Sequence, residues 1–388
     1  MKLLMFSHDW APSIGGTQKV MSLLASGIAE QPTVDGNPIQ LTFVTQTPAG
    51  NMDDRALPFR VVRRPSPIAL LRLIRNADVI HLAGPAFLPM SLAWLSRRKF
   101  VIQHHNYQAV CPTGSLVYNP DRSVCPNHFL NGPATECLRC QSVELSWARA
   151  IWLTLLAYPR LWLCRRAAAN IAISDHAARR LDLPALRTIY NGIEKTEDPV
   201  GLAENEDASR PFVAFIGRLV SDKGVNVLIN AISELAKQGC EIDARIIGDG
   251  PDRVSLQALV NSLGLQRSVS FFGALRGNDL TGATCDAVAI VLPSVWEELS
   301  PLTAIEQMLQ SKLVIASDIG GLGEVVGSTG LKFMPGNTSE LAQRIREAVE
   351  NPEMRARLGA AAQARAENLF RDRRMVEEHL RAYRELSK

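Results

Sequence analysis

The segment LPSVWEELSPLTAIEQMLQSKLVIASDIGG, beginning at Leu292, limits the fold more than any other stretch of the chain. It reads as strand, loop, helix, strand and loop in quick succession. The apolar run Ala287–Leu292 predicts a short buried strand, and Pro293, Ser294 and the acidic pair Glu297–Glu298 form the loop at its carboxyl end. Ser300 is expected to cap the next helix, with Pro301 at the first helical position, where a missing N–H costs nothing. That helix should run to about Gln310, and Leu313–Ala316 returns as the next strand. In an open parallel sheet, ligands bind outside the carboxyl ends of the strands. A free helix start there favours an anion such as phosphate.

Two carboxylates straddle that helix start. Glu298 precedes it and Glu306 lies inside it. With a rise of about 1.5 Å per helical residue, Glu306 sits on the order of 8 Å along the axis from the cap. The two acids therefore suit opposite ends of an extended ligand rather than one close pair. The plain alternative is a solvated loop acid and a helix-surface acid.

The same strand–helix alternation runs through the rest of the chain and predicts an α/β fold with parallel sheets. Strands are expected at Leu3–Phe6, Leu41–Thr45, Asp78–Leu82, Phe100–Gln103, Asn170–Ile173 and Thr188–Tyr190. After the acidic, aperiodic stretch 194–210, read as a linker, strands resume at Phe212–Ile216, Ile242–Ile247, Val269–Phe271 and Leu331–Phe333. The expected organisation is two doubly wound, Rossmann-like domains, 1–193 and 211–370, facing each other across a cleft. The helix 371–388 should pack back toward the first domain.

Charged and glycine-rich turns fall at successive strand ends. Gly15 and Gly16 open a helix after the first strand, without the spacing of a dinucleotide fingerprint. Arg218 and Lys223, five residues apart, follow the strand Phe212–Ile216 and can hold a diphosphate. Gly248 and Gly250 follow the next strand, near where a base or ribose would lie, and Gly320–Gly321 follow the acidic helix. Each alone reads equally well as a surface salt bridge or a structural turn; the shared position is what points to a site.

His104 and His105 end the strand Phe100–Gln103 and open an insert spanning about 104–145. A loop this long tends to be functional or disordered. It carries Cys111, Cys125, Cys137 and Cys140, four of the seven cysteines. Three states stay open for them: a structural zinc site, a redox-labile disulfide, or thiols packed as small apolar groups. Next comes Ser146–Ala168, with Trp147, Trp152 and Trp162 beside Arg149, Arg160, Arg165 and Arg166. This suits a membrane interface, with Pro159 kinking the helix. The alternative is a core helix whose arginines reach out at its ends.

At 388 residues and 46% hydrophobic composition the chain can bury two sizeable cores. Its net charge of +3 and lack of any nucleic-acid-reading signature argue against DNA or RNA partners. No stretch approaches the ~20 apolar residues that span a bilayer, and the N-terminal apolar run is short for a signal peptide. The expected location is cytoplasmic, with peripheral contact at the inner face of the membrane through 146–168.

Taken together, GRLVSDKG, GDGP, PSVWEE followed by Glu306, and GGLGE resemble the retaining nucleotide-sugar glycosyltransferases of family 4, which have the GT-B fold. The resemblance covers nearly the whole chain, including GGTQKV, SDHAARRL and TIYNGIE, and the HNYQAVCP insert is similar to one in a subset of that family. It implies a first domain that binds acceptor and a second that binds a nucleoside-diphosphate sugar. It also implies roles. Arg218 and Lys223 would neutralise the diphosphate, Glu306 would hold the ribose hydroxyls, and Glu298 would contact the transferred sugar. Amides around Ser300, Pro301 and Leu302, and those of Gly15 and Gly16, would reach phosphate or sugar, and His105 would lie by the reacting carbon. Leu299–Ser300 stands where many relatives have Gly-Phe, so sugar choice is not legible.

The implied reaction is hexosyl transfer with retention to a saccharide or lipid-linked saccharide, as in surface-polysaccharide assembly, with no cofactor needed for catalysis. Two cations and helix ends stabilise the leaving diphosphate without a metal, and the carboxylate spacing does not fit a two-acid glycosidase. The competing readings are a nucleotide-sugar epimerase or phosphorylase on the same fold, and a non-catalytic sugar-nucleotide scaffold.

Overall fold

The computed structural model describes residues 1–13, 15–31, 33–34, 37–194 and 210–387. The chain forms two compact units, one of Met1–Glu194 with Phe370–Lys388 and one of Lys195–Leu369. The stretch 195–209, most of the segment read as linker, lies outside the described residues.

The first unit is built on seven strands: β1 (Lys2–Ser7), β2 (Gln40–Thr45), β3 (Arg60–Arg63), β4 (Val79–Ala83), β5 (Phe100–His104), β6 (Ala169–Ala172) and β7 (Leu186–Thr188). Their order is β7-β6-β5-β4-β1-β2-β3, and every pairing is parallel. Helices cover both faces of such a sheet, so its central strands read as unbroken apolar runs. In β1 every residue from Leu3 to Ser7 is buried. The edge strand β3, RVVR, is at most half-buried and lacks that run, which hides it from the pattern. Arg63 anchors it through two 2.8 Å hydrogen bonds to Asp54 and one of 2.8 Å to the Ala11 carbonyl. The last strand sits at Leu186–Thr188 rather than Thr188–Tyr190.

The second unit carries β8 (Phe212–Ile216), β9 (Asp243–Ile247), β10 (Val269–Gly273), β11 (Ala289–Leu292), β12 (Val314–Ser317) and β13 (Leu331–Phe333). They are ordered β10-β9-β8-β11-β12-β13, again all parallel. Val213, Phe215, Ile246, Val291 and Ile315 meet Leu228 and Ile232 from helix Val225–Lys237 and Ile345 from helix Thr338–Glu350 in one core. Each such side chain, fully buried, contributes about 1.5–3 kcal/mol. In both sheets the strand order reverses beside the first strand, at β1/β4 and at β8/β11. These switch points open crevices at the carboxyl ends of the strands.

The helix Asp372–Ser387 belongs to the first unit. Met375, His379 and Tyr383, four residues apart, form its buried face together with Val376 and Leu380. Val376 lies where a Cβ on Gly27 would fall, at 2.6 Å, so only glycine lets the two helices approach this closely. Tyr383 Oη and His81 Nδ1, both fully buried, share a 2.7 Å hydrogen bond. A bridge between Ile193 and Arg371 ties the start of this segment to the end of the unit's first portion.

Burial also holds four histidines of this unit neutral. It pushes His104 and His379 down to about 4, and pushes His105 to about 3 with help from His104 and His379. His81 is held well below the usual value, first by burial and then by His379 and His105. A base whose native pKa is depressed binds its proton more readily in the unfolded chain. Stability is then full above the unfolded value of about 6.5 and falls as pH drops below it, by ~1.4 kcal/mol per pH unit for each such histidine. Thermal melts of the whole chain from pH 7.5 to 4.5 should show the first unit's transition fall steeply below pH 6.5. A flat profile across that range would contradict the buried neutral imidazoles.

Candidate functional site

The second unit's switch point gathers the charged residues singled out in the sequence. β8 leads into Gly217, Arg218 and Leu219, then a single 3-10 turn, Ser221–Lys223. Gly224 follows with φ +65°, and a Cβ there would stand 2.0 Å from the Pro293 carbonyl. Glycine alone permits this approach. It seats the turn against the loop after β11, where Val295 N–H donates to Asp222 O at 2.9 Å. Lys223 Nζ then lies 2.7 Å from Glu298 Oε2, and the other oxygen, Oε1, accepts a short hydrogen bond from Ser294 Oγ. On the far side, Gly321 N–H donates to the Glu298 carbonyl at 2.5 Å. The Glu298 residue is buried, and both carboxylate oxygens are satisfied.

Of the sequence-predicted residues, Lys223 and Glu298 are thus brought into direct contact. Arg218 is exposed on the same strand-end turn and forms no ion pair with a described residue. Glu306 is half-buried in helix Leu302–Leu309. The carboxylate that meets Lys223 is that of Glu298.

One expectation is corrected. Ser300 does not cap the helix: the cap position is Pro301, helical residues begin at Leu302, and Ser300 Oγ is buried with no hydrogen-bond partner among the described residues. The displaced cap leaves the Leu302 and Thr303 amides without intrahelical carbonyls, as at any helix start. Gly248 and Gly250 are glycine because the neighbouring loop fills their Cβ positions. With φ +138°, a Cβ on Gly248 would stand 1.8 Å from the Gly217 carbonyl, and one on Gly250 would stand 2.3 Å from that of Leu219. Their side-chain absence serves loop stacking.

The first unit's switch point opens a cavity of about 370 Å³. Ser7 at the end of β1, Ala83 and Gly84 after β4, His105 and Asn106 after β5, and Thr17 and Gln18 from the helix Gly16–Ala29 contribute to its walls. Gly15 is the helix cap, with an extended φ of −179° that any residue can adopt, so its glycine is not required by backbone angle. His105 Nε2 is buried with no hydrogen-bond partner among the described residues, and the imidazole is neutral at pH 7 for the reasons given above. Sequence reasoning missed Ser294, which sits four residues before Glu298. It also missed Asp9 and Gln18 of this cavity; the only signal was their closeness to a strand end.

The insert after β5 is folded. Val117–Tyr118 pairs with Ser123–Val124, and helices Ala134–Ser142 and Trp147–Cys164 meet through Gln141 Nε2, which donates to Thr154 Oγ1 at 2.8 Å. The four cysteines converge with His128 on a void of about 20 Å³. All are free and buried. Their sulfurs bond locally: Cys140 Sγ donates to Val117 O and accepts from Asn119 N–H, both at 3.3 Å, and Cys125 Sγ lies 3.7 Å from His128 Nδ1. Burial, then the neighbouring thiols, push Cys137 up to about 12, and burial raises Cys140. Among the described residues no group of three or more His, Cys, Asp or Glu is arranged to hold a metal ion. Cys111, Cys125, Cys137 and Cys140, the set expected from the sequence to hold a structural zinc, thus lie together as free, buried thiols.

With the two switch-point geometries in view, the fold can be assigned: it is GT-B, two doubly wound parallel sheets with their helices. Anabaena HepE in complex with UDP-glucose superposes with a TM-score of 0.73 at 19% identity, over 99% of this chain and all of that one. Residues 201–365 match the family model described as Glycosyl transferases group 1. Two relatives come from Streptomyces kanamyceticus. An alpha-D-kanosaminyltransferase is 29% identical over 214 residues, 51% of this chain and 55% of that protein. A 2-deoxystreptamine glucosyltransferase is 29% identical over 241 residues, 57% of this chain and 62% of that protein. The chain thus spans a little over half the length of these curated relatives.

The stacked loops can be tested directly. Gly224→Ala combines a strained backbone with a clash against Pro293 and should cost about 2–4 kcal/mol. Gly239→Ala, at φ +76° with nothing within 4 Å of its Cβ, should cost only the backbone share, roughly 1 kcal/mol. Equal losses in denaturant titrations of the two variants would contradict the tight seating of the turn on the Pro293 loop.

Proposed function

We propose that this chain is a retaining glycosyltransferase that moves a hexose-type sugar from a nucleoside diphosphate to a saccharide or lipid-linked saccharide acceptor, without a catalytic metal. The observation that carries the reading is the Lys223–Glu298 contact at the β8/β11 switch point. It joins a cation suited to a leaving diphosphate to a carboxylate suited to sugar hydroxyls, within the portion that matches the group 1 glycosyltransferases. With donor bound, the Lys223 charge turns to the phosphates and Glu298 takes a sugar hydroxyl. Arg218 and the Leu302 and Thr303 amides add to the stabilisation of charge that grows on the leaving group, usually the largest catalytic effect of this kind. Glu306 holds the ribose. Asp9 and the neutral imidazole of His105 face the acceptor in the first unit's cavity. The kanosaminyl- and glucosyltransferase relatives support a sugar-transfer reading, and HepE bound to UDP-glucose supports a nucleotide-sugar donor.

A screen of nucleotide sugars for donor turnover tests this. One donor should be consumed with nucleoside diphosphate released, unchanged by EDTA, and NMR of the product should show the donor's anomeric configuration. Lys223→Ala and Glu306→Ala should each lower turnover by about 10²–10³-fold, as loss of a transition-state contact does. Undiminished turnover in both variants sinks the assignment. Conversion of the donor without transfer would favour the epimerase reading.

The helix Trp147–Cys164 also supports a peripheral membrane position on the cytoplasmic face. Trp147, Ile151, Trp152, Leu155 and Tyr158 are exposed along it, and Trp162 stacks edge-on against Trp94 at 4.9 Å, bringing in the exposed Leu95 of helix Phe87–Leu95. Arg97, Arg98, Lys99, Arg149, Arg165 and Arg166 are exposed around them. No helix among the described residues is long and apolar enough to cross a membrane. Flotation should recover the protein with anionic vesicles at low salt and lose it in the double variant Trp152→Glu, Leu155→Glu. Absence of wild-type binding at low salt removes the membrane reading.

A further inference from the structure

The helix Trp147–Cys164 holds a second feature that its exposed face does not explain. Arg160, which the sequence groups with the interface cations, is only 7% exposed. It lines a cavity of about 480 Å³ between the cysteine insert and this helix. No described residue forms an ion pair or hydrogen bond with its guanidinium. Its ionisable neighbours are Cys164 and Cys111, and burial pushes the Cys164 thiol up to about 12, so it supplies no negative charge at neutral pH. The one carboxylate on the cavity wall, Glu144, is exposed and lies 3.5 Å from Arg122. A guanidinium stays charged in proteins, and a buried charge without a partner is costly. Facing the cavity, the guanidinium stands where a bound anion would supply the counter-charge.

The rest of the cavity says what that ligand carries. Phe87, Leu153 and Leu156 make an apolar wall, and Phe87 is 41% exposed, so the wall continues onto the aromatic surface. Asn119 adds a polar group. Pro85 and Gln108 line both this cavity and the one that contains His105, so the two hollows adjoin within the first unit.

We propose that Arg160 is the anion-binding residue of an acceptor subsite, which takes an oxyanion (a phosphate ester or a carboxylate) carried next to an apolar chain. The guanidinium fork pairs with either oxyanion through two parallel hydrogen bonds. The apolar chain lies along Phe87, Leu153 and Leu156, and the hydroxyl end of the acceptor reaches the adjoining His105 cavity. The inference rests on the acceptor reading of the first unit and narrows it to anionic, lipid-like acceptors.

Titration calorimetry with the full chain tests it, using octyl phosphate, octanoate and neutral octyl glucoside below their micelle concentrations, with inorganic phosphate as the headgroup alone. Octyl phosphate or octanoate should bind saturably and at least tenfold more tightly than octyl glucoside, and inorganic phosphate at least tenfold more weakly than octyl phosphate. The first pair tells which oxyanion is preferred. Arg160→Met should weaken the preferred anion at least tenfold, with Arg160→Lys in between, while melting at or above the wild-type temperature because an unpaired buried charge has gone. A purely structural arginine would instead give Arg160→Met a lower melting temperature. Equal binding of glucoside and anions, no binding of either anion, or anion binding unchanged in Arg160→Met overturns the proposal. UDP titrated into the same variants should bind as in the wild type. Failure of UDP to bind any of them would count against the donor reading alone.

Discussion

The second unit depends on loops stacked so closely that they touch through backbone. Gly224 lies against the Pro293 carbonyl, Gly248 against that of Gly217, and Gly321 donates to that of Glu298. Between these layers the Pro293–Ser300 segment has little freedom, and Glu298 is held with Ser294 on one oxygen and Lys223 on the other. A carboxylate has about four lone-pair positions, so this arrangement satisfies the buried acid and still leaves it able to accept more. Removing one partner of a buried ion pair costs more than the pair contributes. The pairing therefore keeps the acid ordered.

Much of this was legible in the sequence, for definable reasons. Central parallel strands are buried on both faces, so Leu3–Phe6, Phe212–Ile216 and Ala289–Leu292 announce themselves as apolar runs. The edge strand Arg60–Arg63 does not, because one flank is open and its ends are arginines. Lys223 and Glu298 were found because charges at strand ends have few structural reasons to recur. The cap at Ser300 was misplaced because serine and proline are each good local signals, and their order suggested a cap that the chain's path shifts by one residue. At Gly248 and Gly250 only coordinates reveal that the Cβ space belongs to the loop next door.

The insert shows the opposite limit. Four cysteines in a long loop fit metal, disulfide and packing equally, and spacing alone does not separate them. The structure adds that the four lie buried together as free thiols. Arg160 is similar. Its neighbours in sequence suggest a cation reaching toward water, and the turn of the helix points it inward instead.

The final helix has a consequence for how the molecule comes into being. Asp372–Ser387 packs on the helix Gly16–Ala29 and supplies the tyrosine that pairs with His81, yet it is synthesised after the whole of the second unit. During translation the helix Gly16–Ala29 must wait, with that apolar face uncovered, until residues 372–387 have followed the second unit out of the ribosome. Completion of the first unit is thus tied to synthesis of the second.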